Sequence, residues 1–209
     1  MAYNEHIASQ FLYKGRRIRG SSHVGPEVRK CRDRVKHRVG NAVRKSVSSL
    51  HAKRTLDVGT GFGSNVRVLA QEFMGKGKIW SIDPSAKVLR EIRRMLRSNS
   101  LLKDVKLVRA KAEDMPFDDE FFNLVTSVML VHHLANPRKG LMEMVRVLRD
   151  GGKLVIVDWR PITSEVIPHR ARDFADPERI HKILTRLGIS VRLRNYRYWY
   201  LIQGIKTAT

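Results

Sequence analysis

The run LDVGTGFGSN, residues 56–65, constrains this chain more than any other stretch. It joins a short apolar strand, TLDV (55–58), to a helix at about 64–74 through Gly59, Gly61 and Gly63. Glycines there permit a tight turn and let a ligand approach the backbone closely. Ligands of open α/β sheets bind at the carboxyl ends of the strands, where the connections switch direction. The downstream pattern agrees with such a sheet. KIWSID (78–83), VKLVRA (105–110), FFNLVTSVM (121–129) and KLVIVD (153–158) read as further strands, nearly all apolar. Helices fall between them. One is capped by Ser85, with Val88, Leu89, Ile92, Met95 and Leu96 on its apolar face. Another starts at Asn136-Pro137, turns Leu141, Val145 and Leu148 inward, and is expected to end at Asp150-Gly151-Gly152. Strand–helix alternation of this kind means a parallel sheet covered on both faces. After a helix from Asp176-Pro177 to Gly188 come two strand-like runs, 189–194 and 197–206. They lie too close in sequence to be parallel neighbours, so they must pair antiparallel.

Upstream, Pro26 opens a helix whose Val28, Cys31, Val35, Val39, Val43, Val47 and Leu50 form one apolar stripe, with an expected interruption at Gly40. Its other faces are basic. The expected organisation is a basic N-terminal extension with this amphipathic helix (1–54), then one globular domain (55–209). A chain of 209 residues with 42% hydrophobic content can bury the core this requires. The net charge of +21 is uneven: residues 1–55 carry +11, 56–158 carry +4 and 159–209 carry +6. Basic ends of this kind attract polyanions, so RNA or another polyanion is a candidate partner. The single cysteine, Cys31, excludes an internal disulfide or a multi-cysteine zinc site, and no metal is expected. No 18-residue apolar run or secretory leader is visible, which makes a cytoplasmic protein the expectation.

Which ligand the loop takes follows from its spacing. A dinucleotide fingerprint, GxGxxG, needs glycine where Ser64 stands, and a P-loop needs a closing GK[ST] that is absent. The pattern is GxGxG, preceded by Asp57. Asp83 ends the second strand, where a carboxylate can accept hydrogen bonds from ribose hydroxyls. A nicotinamide-dependent oxidoreductase on a similar sheet is thereby disfavoured.

In order, LDVGTGFG, IDPS, AKAEDMPFDDEFFNLVTSVMLVHHL and RVLRDGGKLVIVD resemble the motifs of class I S-adenosylmethionine-dependent methyltransferases, most of all the type 11 group that includes quinone-biosynthesis enzymes. The resemblance covers about residues 55–160. It implies a Rossmann-like, seven-stranded, mostly parallel α/β sheet with an antiparallel last strand. It also implies S-adenosylmethionine as cofactor, with Asp57, Gly59, Thr60 and Gly61 around its methionine part. Asp83 would hold the ribose, Pro84 would flank the adenine, Ala112 and Glu113 would line its edge, and Ser127 and Val128 would lie near the sulfonium. Two positions depart from the family pattern. Lys111 stands where an aspartate is usual and cannot accept from the adenine amino group. Asn123 also replaces a common aspartate, at a position expected to orient a strand.

His132, His133 and Asp158 are the candidates for a catalytic base, which methyl transfer needs only when the acceptor must lose a proton. SVML after the fourth strand, in place of an NPPY-like run, disfavours amino-group methylation of a flipped base. The tail RLRNYRYWY (192–200) interleaves arginines with aromatics, a composition suited either to nucleic acid or to packing. The acceptor is therefore open between a small molecule and RNA or a ribonucleoprotein. The rival reading is a basic nucleic-acid-binding protein on a methyltransferase fold without catalysis.

Overall fold

A computed structural model describes residues 25–162, 166 and 176–208; residues 1–24, the start of the expected basic extension, lie outside them. The elements are α1 (Pro26–Val47), β1 (Arg54–Val58), α2 (Ser64–Phe73), β2 (Lys78–Ile82), α3 (Ala86–Ser98) and β3 (Val105–Val108). They continue with β4 (Phe122–Val128), α4 (Pro137–Arg146), β5 (Leu148–Trp159), α5 (Pro177–Arg186), β6 (Ile189–Asn195) and β7 (Trp199–Lys206). One seven-stranded sheet has the order β3-β2-β1-β4-β5-β7-β6. β1 to β5 pair in parallel, and β7 runs antiparallel between β5 and β6. The last strand is therefore the antiparallel one, as expected.

Because strand side chains alternate between faces, the sheet separates two apolar layers. One packs α1, α2 and α3 against residues such as Ile79, Leu124, Val155 and Leu201. The other packs α4 and α5 against Leu56, Val125, Ile156 and Ile202. α1 belongs to the first layer: Val35, Val39, Val43 and Val47 are buried, and Arg44 Nε donates to Glu72 Oε1 of α2 at 2.8 Å. Gly40 does not interrupt it, because the helix runs unbroken through 22 residues.

Helix starts follow the sequence signals. Ser85 Oγ accepts from Val88 N (3.3 Å), Asn136 Oδ1 from Lys139 N (3.0 Å) and Asp176 Oδ1 from Glu178 N (3.1 Å). The end of α4 differs from expectation. The helix stops at Arg146, and Leu148 already pairs with Phe122 as the first residue of β5. Asp150-Gly151-Gly152 is a bulge inside that strand, where the register against β4 shifts between Phe122 and Leu124.

Gly63 shows why the loop needs glycine. It precedes α2 with φ +77°, and a Cβ there would lie 2.6 Å from Met95 Cε and 2.8 Å from Ile92 Cδ1 of α3. Gly63→Ala is expected to destabilise the protein by about 2 kcal/mol, from the left-handed conformation and the displaced side chains together. Urea denaturation measures this, and an unchanged midpoint would show that α3 yields freely.

Candidate active site

β1, β2, β4 and β5 end at one edge of the sheet, and nearly every site residue expected from the sequence gathers there. The amides of Gly59 and Thr60 both donate to Ile82 O, at 3.0 and 2.8 Å, which ties the glycine loop to the end of β2. Gly59 has φ +88°, and a Cβ on it would meet Leu130 at 3.0 Å. The loop after β4 thus closes directly over the loop after β1. Asp83 is half-buried beside them. Its Oδ2 accepts from Gly61 N at 3.1 Å and its Oδ1 from Ser85 N at 2.9 Å, so the carboxylate is aimed by two backbone amides. Partial burial raises its pKa, and those two hydrogen bonds act against the rise.

Asp57 is placed differently from the other loop residues. It is fully buried beneath the loop, with Ser81 Oγ donating to Oδ2 and Asn65 Nδ2 to Oδ1, each at 2.6 Å. Ser81 also bonds the Thr60 hydroxyl at 2.7 Å, and Asn65 reaches Thr126 Oγ1 at 3.0 Å. The network locks β1, β2, β4 and the first turn of α2 together. Burial pushes the Asp57 carboxyl up to about 6; the two hydrogen bonds counter this and the nearby Asp83 adds to it. Sequence reasoning missed Ser81 and Asn65. Asp57 and Ser81 are register partners in the β1–β2 pair, a relation visible only once the strands are aligned.

Farther along the edge, Pro84 is exposed and its carbonyl accepts from Arg109 Nε at 3.1 Å. Ala112 is buried. Glu113 Oε1 accepts from the amides of Ala135 (3.0 Å) and Asn136 (3.4 Å), which ties the β3–β4 connection to the start of α4. Lys111 is exposed and bridges in antiparallel fashion to Asp114. Asn123 Oδ1 accepts from Arg54 N at 2.9 Å, anchoring the start of β1.

At the end of β4, Ser127 is fully buried, and its Oγ has no hydrogen-bond partner among the described residues. Val128 is half-buried, and Met129 takes φ +55°, a strained conformation for a methionine that turns the chain sharply at the site. The turn sends His132 back to β5. His132 Nδ1 and Asp158 Oδ1 lie 2.5 Å apart, and His132 N donates to Asp158 Oδ2 at 3.1 Å. Trp159 N also donates to Oδ1, at 2.7 Å. The two side chains are 2% and 1% exposed, so the bond operates away from water. His133 is not part of that pair; its ring packs against His132 with centroids 3.9 Å apart. No cluster of metal-ligating side chains occurs among the described residues.

A glycine cradle after β1, an oriented carboxylate after β2 and a β7 inserted antiparallel define a class of fold: the layout is that of the class I S-adenosylmethionine-dependent methyltransferases. Within that class, a family model for a methyltransferase domain, type 11, matches residues 56–156. The chain is 29% identical over 154 residues to the ubiquinone/menaquinone biosynthesis C-methyltransferase UbiE of Pectobacterium carotovorum. That alignment covers 74% of this chain and 59% of the relative, so the chain spans about three-fifths of the relative's length. Among solved structures, an S-adenosylmethionine-dependent methyltransferase from Aquifex aeolicus superimposes with a TM-score of 0.74 at 22% identity, over 88% of this chain and all of that one. The [4+2]-cyclase SpnF superimposes with a TM-score of 0.70 at 15% identity, covering 82% of this chain and 81% of the cyclase. The fold alone therefore does not decide the reaction.

Proposed function

We propose that the chain transfers a methyl group from S-adenosylmethionine to an acceptor. The observation that carries this reading is the pairing of the glycine loop with Asp83 through the Gly61 amide at 3.1 Å. A backbone without side chains is set beside a carboxylate, which suits a ligand with a ribose and a flexible charged tail. The other residues fit the same ligand. Gly59, Thr60 and Gly61 would cradle the methionine part, and Asp57 would hold that loop from beneath. Asp83 would accept from the ribose hydroxyls, Pro84 would flank the adenine, and Ala112 with Glu113 would line its edge. Glu113 is already engaged by two amides and Lys111 cannot accept, so adenine recognition rests on shape more than on hydrogen bonds. Ser127 and Val128 would lie nearest the reacting centre, and the buried Ser127 hydroxyl supplies a polar atom there. The cofactor, when bound, supplies an electrophilic methyl on a sulfonium.

Transfer of that methyl is an in-line displacement driven by proximity and alignment. Where the acceptor loses a proton, His132 is the group suited to take it. Asp158 holds Nδ1, which leaves Nε2 as the nitrogen through which the ring would exchange a proton. The dyad belongs to this chain's own β4–β5 geometry and favours an acceptor that must be deprotonated, as a hydroxyl or an activated carbon must be. The relatives named as C-methyltransferases are consistent with that class.

Calorimetric titration with S-adenosylmethionine and with S-adenosylhomocysteine tests the proposal. One-to-one binding of both supports it. Binding of neither to folded protein would overturn it in favour of the non-catalytic nucleic-acid-binding reading. Asp83→Ala is expected to weaken S-adenosylmethionine by about 1.5–3 kcal/mol, roughly 10- to 150-fold in Kd, if charged hydrogen bonds to ribose are lost. Unchanged affinity in the same titration would remove Asp83 from the ribose site. No helix among the described residues is long and apolar enough to cross a membrane.

A further inference from the structure

Part of the excess positive charge is arranged on one shelf of the molecule. α1 lies along β5 and β7, antiparallel to β5. Near its carboxyl end, Ser46 O accepts from Lys153 Nζ (2.8 Å) and Ser46 Oγ from Gln203 Nε2 (3.0 Å). From Ser46 back to Val35 the helix rises roughly 16 Å, and β5 covers about the same distance from Lys153 to Asp158. The turns of α1 before Val35 therefore reach the edge of the sheet that holds the glycine loop and beyond it. Arg32 Nε donating to Val166 O at 3.1 Å, past the end of β5, agrees with this.

Arg44 turns toward α2, where it meets Glu72. At 100° per residue, Arg34, Arg38 and Lys45 fall on the opposite flank, above β7 and β6. All three are exposed.

β6 is the edge strand. Its Ile189, Val191 and Leu193 face the α4–α5 layer, so Ser190, Arg192 and Arg194 face the α1 side. Among the described residues no helix covers them there, and both arginines are exposed. Arg192 is the register partner of Gln203, the residue bonded to Ser46 of α1, which joins the strand and the helix into one surface.

Neither β6 nor β7 carries an acidic residue. The acids of α1 are Glu27, paired with Lys30, and Asp33, paired with Lys36. The shelf leads upward to the β6–β7 turn, which Trp159 pairing with Trp199 places at the glycine-loop edge. There the Tyr196 ring stacks on Trp199 with centroids 3.9 Å apart, and Tyr196 is 38% exposed. Arg197 lies over Tyr198, and Arg160 Nη1 donates to Tyr196 O at 3.1 Å.

We propose that this shelf binds a single-stranded nucleic acid, with phosphates along Arg34, Arg38, Arg192 and Arg194 and a base on Tyr196, and delivers it to the methyl-transfer edge. The delivery half rests on the methyltransferase reading; the binding half does not. Arginines in a row supply phosphate contacts, and a rigid, half-exposed aromatic at the end of that row supplies a stacking platform. Insertion into an anionic membrane would instead call for a cluster of exposed apolar side chains. Apart from Tyr196, the exposed large apolar side chains among the described residues, Phe62, Met74, Met142 and Ile205, are scattered over separate elements.

The test is fluorescence anisotropy with a labelled 20-nucleotide single-stranded RNA, and with DNA of the same sequence, across a salt series. The expected result is binding that weakens with salt. In Arg192→Glu/Arg194→Glu the affinity should fall at least tenfold, and the log–log salt slope should be shallower by about 1.4, two phosphate contacts' worth. Tyr196→Ala should weaken the oligonucleotide but not inorganic polyphosphate. RNA binding tighter than DNA would assign the strand as RNA, and the reverse would assign it as DNA. Unchanged affinity in the double variant overturns the proposal, as does equal binding to phosphatidylglycerol vesicles that compete with the oligonucleotide. Titration of the same variants with S-adenosylhomocysteine separates this from failure of the cofactor site, because none of the substituted residues belongs to it.

Discussion

His132→Gln is expected to lower turnover by about 10²- to 10⁴-fold, the usual contribution of a positioned general base, with the cofactor's Kd unchanged. Glutamine can still bond Asp158, so the turn after β4 should persist while the proton acceptor is lost. In the proposed role Asp158 would act through His132: its Oδ1 sits 2.5 Å from Nδ1 and its Oδ2 accepts the His132 amide. Asp158→Asn is therefore expected to reduce turnover in the same direction, by favouring the wrong tautomer. Initial rates of S-adenosylhomocysteine release, measured with an acceptor that wild type methylates, give the comparison. Burial of the pair equally suits a structural role. An unchanged rate with lowered thermal stability would assign it that role and leave proximity as the whole of the catalysis.

How far the sequence disclosed this arrangement depends on the range of the interaction. The glycine loop, Ser85, Asn136 and Asp176 were legible because a cap or tight turn is written in adjacent residues. The strands were legible because a doubly covered strand is apolar along its length. The boundary between α4 and β5 was not. Leu148 continues the helical stripe from Leu141 and Val145, and Gly151-Gly152 resembles a helix stop, yet pairing with Phe122 claims Leu148 for the sheet. Asp57, Ser81 and Asn65 come from three elements, and their union depends on the parallel register of β1 with β2. The His132–Asp158 bond likewise needs the sharp turn at Met129. Both histidines looked equal in sequence, and only the path of the chain after β4 separates them. The basic composition raised the expectation of a polyanion partner but gave no place for the shelf proposed to bind it. That needed the strand alternation of β6 and the helical flank of α1 in one frame.

Asp57→Asn is expected to stabilise the protein at neutral pH. The wild-type carboxyl has a pKa of about 6 in the folded state against 3.8 for the free group. Between those values the folded chain holds a proton that the unfolded chain has released, so this group favours folding most at low pH. The contribution falls as pH rises through about 6. Above it, ionising Asp57 in its buried site costs on the order of 3 kcal/mol, two units at about 1.4 each. An asparagine avoids that cost. Its amide can donate to Ser81 Oγ, which can in turn donate to Thr60, and Asn65 keeps its acceptor. Urea unfolding at pH 4.5 and pH 7.5 should therefore show the variant gaining most of those 3 kcal/mol over wild type between the two pH values. An equal pH dependence in both proteins would show that Asp57 is not ionising against burial. A protein that keeps such a carboxylate keeps it for something other than stability. A buried anion under the glycine loop attracts a sulfonium and is indifferent to a thioether, because the charge acts through a medium of low polarity. Asp57→Asn should accordingly lose affinity for S-adenosylmethionine more than for S-adenosylhomocysteine. Equal losses for the two ligands would reduce Asp57 to a support for the loop.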